Sequence, residues 1–91
     1  MVRPRKIRRI GFNPEATYFK PRGIPLQQLD EVELGHDEME AIRLKNLERL
    51  DQTRCAKKMK ISQSTLQRIL SSAYKKITEA LIDGKAIRIE E

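Results

Sequence analysis

Cysteine, histidine and tryptophan are nearly missing from these 91 residues, which hold one, one and none of them respectively. The single thiol, Cys55, has no second cysteine in the chain with which to form a disulfide. One Cys and one His cannot make a Cys/His cluster for structural zinc, and no metal or other cofactor is expected. Both scarcities fit a reducing, cytoplasmic setting. No apolar run approaches the roughly 20 residues that span a bilayer, so no membrane helix is expected. The basic start is followed by no apolar stretch and does not read as a secretory signal. A glycine-rich phosphate loop is also missing, and no nucleophile, His and carboxylate stand out as a group, so an enzyme is not expected. Without Trp, the core must be built chiefly from aliphatic residues. In so short a chain it is modest, and one domain is expected.

The charge that is present is unevenly spread. The net charge is +6. Arg3, Arg5, Lys6, Arg8 and Arg9 crowd the first residues, and Lys20 and Arg22 follow. Asp30, Glu31, Glu33, Asp37, Glu38 and Glu40 make an acidic middle, after which Arg54, Lys57, Lys58, Lys60, Arg68, Lys75 and Lys76 restore the basic balance. Two basic blocks around an acidic one point to a polyanion touched in two places. A solvated surface with a basic tail has the same composition.

All four prolines fall in the first 25 residues, so that stretch is not helical. Between Pro14 and Pro21, residues 16–20 suit a short edge strand. The acidic segment with Leu26, Leu29, Val32 and Leu34 carries no clear period. A helix is expected over residues 36–47, with Gly35 as N-cap and Glu38 in the reciprocal position of a capping box. Its acidic first turn suits the helix dipole, and Met39, Ile42, Leu47 and Leu50 form its apolar side, with Ala41 and Leu44 on another flank. A shorter helix fits residues 52–59 behind Asp51. A third begins after Ser62 and ends before Gly84, its stripe made of Leu66, Ile69, Leu70, Ala73, Ile77, Ala80 and Leu81. The alternating residues 85–90 suit a short terminal strand.

Residues 52–70 fit a helix-turn-helix position by position. Two helices meeting steeply need a small residue at the elbow, which Ala56 supplies. Met59 and Ile61 plug the angle, and Leu66 and Ile69 bury the second helix against the first. Ser62, Gln63, Ser64, Thr65, Gln67 and Arg68 remain as the face of a recognition helix for the major groove. Gln pairs bidentately with adenine and Arg with guanine, and no carboxylate interrupts the face. Lys60 stands where such turns commonly carry a left-handed Gly, at a cost on the order of 1 kcal/mol. Arg3, Arg5, Lys6, Arg8, Arg9, Lys57, Lys60 and Lys75 are the candidates for DNA-backbone contacts. A helical hairpin in a small bundle is the plainer reading of the same pattern.

From Val32 to Leu81 the chain resembles region four of bacterial sigma factors. The resemblance lies in Asp37-Glu38-Met39-Glu40-Ala41-Ile42-Arg43-Leu44, then Ala56, Ile61-Ser62-Gln63-Ser64-Thr65, and a basic helix ending Lys75-Lys76-Ile77. More closely, it resembles a bacterial and archaeal family of small predicted DNA-binding proteins of unknown function with this same helix-turn-helix. Arg8-Arg9-Ile10-Gly11-Phe12, Tyr18-Phe19-Lys20-Pro21, Gly23-Ile24-Pro25-Leu26 and Gly84-Lys85-Ala86-Ile87-Arg88-Ile89 carry that closer likeness. The resemblance implies DNA binding through residues 62–68 and a role in transcription. Some members carry cysteines in the arm, where this chain has Lys6-Ile7, and no metal or redox role is carried over from them. Some members also continue into a second domain, which is not expected here beyond Glu91.

The expected fold is mainly α: a helix-turn-helix like sigma region four, of the winged-helix-like superclass. An irregular basic segment (1–34) precedes the helical core (35–84), and a tail or strand (85–91) closes a small two-stranded patch. The expected function is sequence-specific binding of double-stranded DNA in transcription regulation. An adaptor that contacts RNA polymerase through the acidic first helix, or an RNA-binding module, are the alternatives. Phe12, Tyr18 and Phe19 either stack on unpaired bases or fill core space, and the basic arm is either a minor-groove arm or a solubilising tail. Cys55 is expected to pack as a buried hydrophobe, and His36 to sit at the surface or cap a helix. A homodimer reading two half-sites would use the face near Ile82.

Overall fold

The computed structural model of the chain describes residues 14–91. They form a mainly helical unit with a small sheet, in the order β1 (Tyr18–Phe19), a 3-10 turn (Leu26–Gln28), β2 (Glu31–Leu34), α1 (His36–Ile42), a π-helical turn (Arg43–Leu47), α2 (Gln52–Met59), α3 (Gln63–Asp83) and β3 (Ala86–Ile89).

The sheet has three strands, not the two expected, and β3 lies in its middle. β1 pairs with it antiparallel, with Tyr18 opposite Arg88, and β2 pairs parallel, with Val32 opposite Ile87 and Leu34 opposite Ile89. The missed strand is β2. Its alternation is clean, with Val32 and Leu34 buried and Glu31 and Glu33 exposed, but it is only four residues long. A parallel pair needs a long crossover, and here all three helices supply it.

The helix boundaries follow their local signals. Asp51 caps α2 by accepting from the Arg54 N–H at 2.8 Å, and Ser62 caps α3 by accepting from the Thr65 N–H at 3.1 Å. Gly84 ends α3 in the left-handed region, at φ 68°. At the start of α1, Glu38 accepts from the Gly35 N–H at 2.8 Å, which is the half of a capping box that a Gly permits. Past Ile42 the helix widens: the Glu48 N–H reaches back five residues to the Arg43 carbonyl at 2.9 Å. That wider turn shifts the register, so Leu47, expected on the apolar side, is 74 % exposed. Leu50 turns back against the core. Leu81, expected on the buried stripe of α3, is also 74 % exposed, because the cover given by β2 and β3 follows Ala73, Ile77 and Ala80 instead.

Two apolar clusters lie along α3. One joins the sheet to α1 and α3 through Leu34, Ala73 and Ile89, with Met39, Ile42, Ile77 and Ile87 packed on it. The other fills the angle between α2 and α3 with Leu44, Cys55, Ala56, Met59, Leu66 and Leu70 among its members. Burying each large aliphatic side chain contributes about 1.5–3 kcal/mol. α3 therefore runs as a spine between sheet and elbow, held at both ends. Phe19 is 51 % exposed and supplies little core; Tyr18 is half-buried, and Phe12 lies outside the described residues.

Candidate nucleic-acid interface

α2 and α3 are joined by three residues, Lys60, Ile61 and Ser62. Lys60 takes the left-handed conformation, with φ 60° and ψ 46°, and its N–H still reaches the carbonyls of Ala56 and Lys57. The next N–H, from Ile61, donates to the Ala56 carbonyl at 3.0 Å. These bonds close the end of α2 and swing the chain into α3 within one turn. Ala56 sits buried at the elbow, where a larger side chain would push the helices apart, and Met59 and Leu66 are fully enclosed beside it.

This arrangement turns the first two turns of α3 outward. Ser62, Gln63, Ser64, Gln67 and Arg68 are exposed, and Thr65 is half-buried. Lys57, Lys60 and Arg68 line one hollow along the α2–α3 angle, floored by Ala56 and Ile61. Lys75 lies seven residues beyond Arg68 on the same side of α3 and is exposed. The other backbone candidates, Arg3, Arg5, Lys6, Arg8 and Arg9, lie outside the described residues. Residues 52–78 contain seven Lys or Arg and no Asp or Glu, so α2 and the first four turns of α3 contribute only cationic charge to this surface; Glu79 and Asp83 follow at the far end of α3.

The hydroxyls on this surface have divided duties. Ser62 Oγ caps the helix, donates to Thr65 Oγ1 at 2.9 Å and lies 3.2 Å from Ser64 Oγ. Thr65 is thereby tied to the cap, while the long side chains of Gln63, Gln67 and Arg68 extend past it. One participant was missed in the sequence: Thr53, at the second position of α2, accepts from Gln63 Nε2 at 3.3 Å across the turn. An exposed Thr in a first helical turn gives no sequence signal of such a role.

Acidic residues border this surface on one side, where Glu33, Asp37, Glu38 and Glu90 share a hollow with Thr65, Arg68, Ser72 and Lys76. Glu38 and Glu40 are 6 % and 2 % exposed. Glu38 accepts from Ser72 Oγ at 2.5 Å and from Lys76 Nζ at 2.9 Å, and Glu40 pairs with Arg43 at 3.0 Å. Burial pushes the Glu38 carboxyl up, but the bonds from Ser72, the Gly35 N–H and Lys76 outweigh it and leave it below its ordinary range. Glu31 and Glu33 pair with Arg88 on the sheet at 3.1 and 3.2 Å. Glu38 and Glu40 are therefore not the open contact surface that an adaptor would use.

Cys55 is fully buried with its Sγ 3.7 Å from the Leu50 carbonyl, and burial raises its thiol pKa. Little reactive thiolate therefore forms near neutral pH, and the residue packs as the hydrophobe expected. The half-buried His36 starts α1, and its backbone N–H donates to Glu90 Oε1 at 2.9 Å. Among the described residues no group of three or more His, Cys, Asp or Glu is arranged to hold a metal ion, and no helix is long and apolar enough to cross a membrane.

The family model described as protein of unknown function DUF134 matches residues 1–91. A UPF0251 protein of Desulforudis audaxviator is 56 % identical over 90 residues, covering 99 % of this chain and 59 % of its own length. Another, of Halothermothrix orenii, is 54 % identical over 90 residues, covering 99 % of this chain and 67 % of its own. A third, of Caldanaerobacter subterraneus subsp. tengcongensis, is 56 % identical over 90 residues, covering 99 % and 76 %. The chain thus spans between three fifths and about three quarters of these relatives. No solved structure matches it. On a match over its whole length, the chain belongs to the family described as protein of unknown function DUF134.

Proposed function

We propose that this chain is a sequence-specific double-stranded DNA-binding protein that regulates transcription, and that α2, the Lys60 turn and α3 act as a helix-turn-helix. The observation that carries the reading is the combination at one place of a three-residue turn with Lys60 left-handed, a small buried elbow residue and an exposed helix start that carries no carboxylate of its own. A recognition helix needs each of these: a steep crossing to project it, close backbones to brace it, and donors and acceptors facing the groove. In this reading Gln63, Gln67 and Arg68 meet base edges, and Lys57, Lys60 and Lys75 meet phosphates. The finer likeness to sigma region four belongs to the same proposal, as does the assignment of a binding protein rather than an enzyme.

An adaptor contacting RNA polymerase through α1 gains no support, because Glu38 and Glu40 are buried in ion pairs. An RNA-binding module would want open aromatics; Phe19 is 51 % exposed, while its neighbour Tyr18 is half-buried with its hydroxyl bonded to Glu31 at 2.7 Å. Equilibrium selection from a random duplex library tests the proposal. Purified protein should enrich one short motif over successive rounds. A library that stays random while the protein remains folded would refute sequence-specific recognition.

A further inference from the structure

The hydrogen bond between Gln63 and Thr53 joins the starts of α3 and α2 across the turn, ten residues apart in sequence. Both residues are exposed, and the bond belongs to neither apolar cluster. Holding the two helices together does not require it, since Ala56, Met59, Leu66 and Leu70 already pack that angle. Its effect is on the Gln63 side chain itself. A glutamine at the first position of a helix has freely turning χ angles. Fixing Nε2 against a hydroxyl removes most of that freedom before any ligand arrives.

The chemistry that remains open is specific. The Gln63 Nε2 has two protons, and one is committed to Thr53 Oγ1. One N–H donor and the Oε1 acceptor are left side by side. In the major groove adenine presents N7 as an acceptor beside the N6 amino donor, the complement of that pair; guanine presents two acceptors instead.

We infer that Thr53 is a positioning residue that presets Gln63 to read adenine in the major groove. The inference rests on the DNA-binding reading above and adds to it the identity of one base and the residue that enforces it. Thr53→Val keeps the shape and removes the acceptor, whereas Thr53→Ser keeps the acceptor.

The test has two stages. Wild-type protein first selects its preferred duplex from a random library. Its affinity, and those of Thr53→Val, Thr53→Ser, Gln63→Ala and the Thr53→Val/Gln63→Ala double variant, are then measured on that duplex and on copies with each base pair changed. Thr53→Val should lose roughly tenfold in preference for A·T at one position only, with the melting temperature and affinity for random DNA little changed. Thr53→Ser should restore the preference. Gln63→Ala should abolish it at the same position, and the double variant should lose nothing more. An unaltered preference in Thr53→Val, or losses spread evenly over all positions, overturns the inference while leaving DNA recognition standing. A wild type that selects no motif overturns the DNA reading and this inference with it.

Discussion

Lys76 of α3 lies 2.9 Å from the Glu38 carboxylate at the start of α1 and also donates to the Glu33 carbonyl of β2 at 2.7 Å. One side chain thus ties the sheet, the first helix and the spine together. Because the Glu38 carboxyl is held below its usual range, its contribution to stability is present above the unfolded pKa, about 4.3, and is lost as pH falls through the folded value. Glu38→Gln should lower stability at pH 7 by about 1–2 kcal/mol, and the gap to wild type should close on acidification. Thermal melts of both proteins between pH 7 and pH 3 provide the check; a gap that widens in acid contradicts the assignment.

Lys60 holds a left-handed conformation that favours glycine. Lys60→Gly should raise stability by about 0.5–1 kcal/mol in denaturant melts. If its ammonium also meets phosphate, the same variant binds DNA more weakly although it is more stable. Stability and affinity moving in the same direction would remove Lys60 from the interface.

What could be read from the sequence was what is decided locally. Asp51, Ser62 and Gly84 marked the ends of α2 and α3 because a cap is a bond to a backbone group within a few residues. The elbow was legible at Ala56, Met59, Ile61 and Leu66 because their spacing is set by two adjoining helices. The strand β2 was not legible, since its partner β3 lies more than fifty residues away and four residues make a short pattern. Glu38 read as a capping-box acid in a dipole-stabilised first turn, and it does accept from the Gly35 N–H, but its burial against Ser72 and Lys76 was not legible, because tertiary packing alone brings those residues to it. The π turn escaped because a change of helical register leaves apolar spacing that still looks helical, and Leu47 was misplaced with it.

Arg68 and Gln67 extend from the exposed side of α3 beyond the Ser62 cap. Replacing either by Ala should cost on the order of 1–3 kcal/mol on the selected duplex and relax preference at one or two base pairs. Equal losses on selected and random duplexes would assign these side chains to phosphate instead.

The five basic residues among positions 3–9 should add a sequence-independent attraction. Removing residues 1–9 should weaken binding to every duplex. It should also flatten the dependence of log K on log salt, by roughly one unit for each phosphate that the arm neutralises. An unchanged slope would mark the arm as a tail that does not touch DNA.

Whether the start of α3 enters a major groove is tested most directly by comparing nucleic acids of matched length at near-physiological salt, where attraction by charge alone is weakened. B-form duplexes admit a helix in the major groove, while A-form RNA has a groove too narrow and deep for one. Titrations against duplex DNA, double-stranded RNA and single-stranded RNA should give the tightest binding to duplex DNA, with the preference lost in Arg68→Ala. Tighter binding to single-stranded RNA, abolished by replacing Tyr18 or Phe19 and untouched by Arg68→Ala, would contradict it.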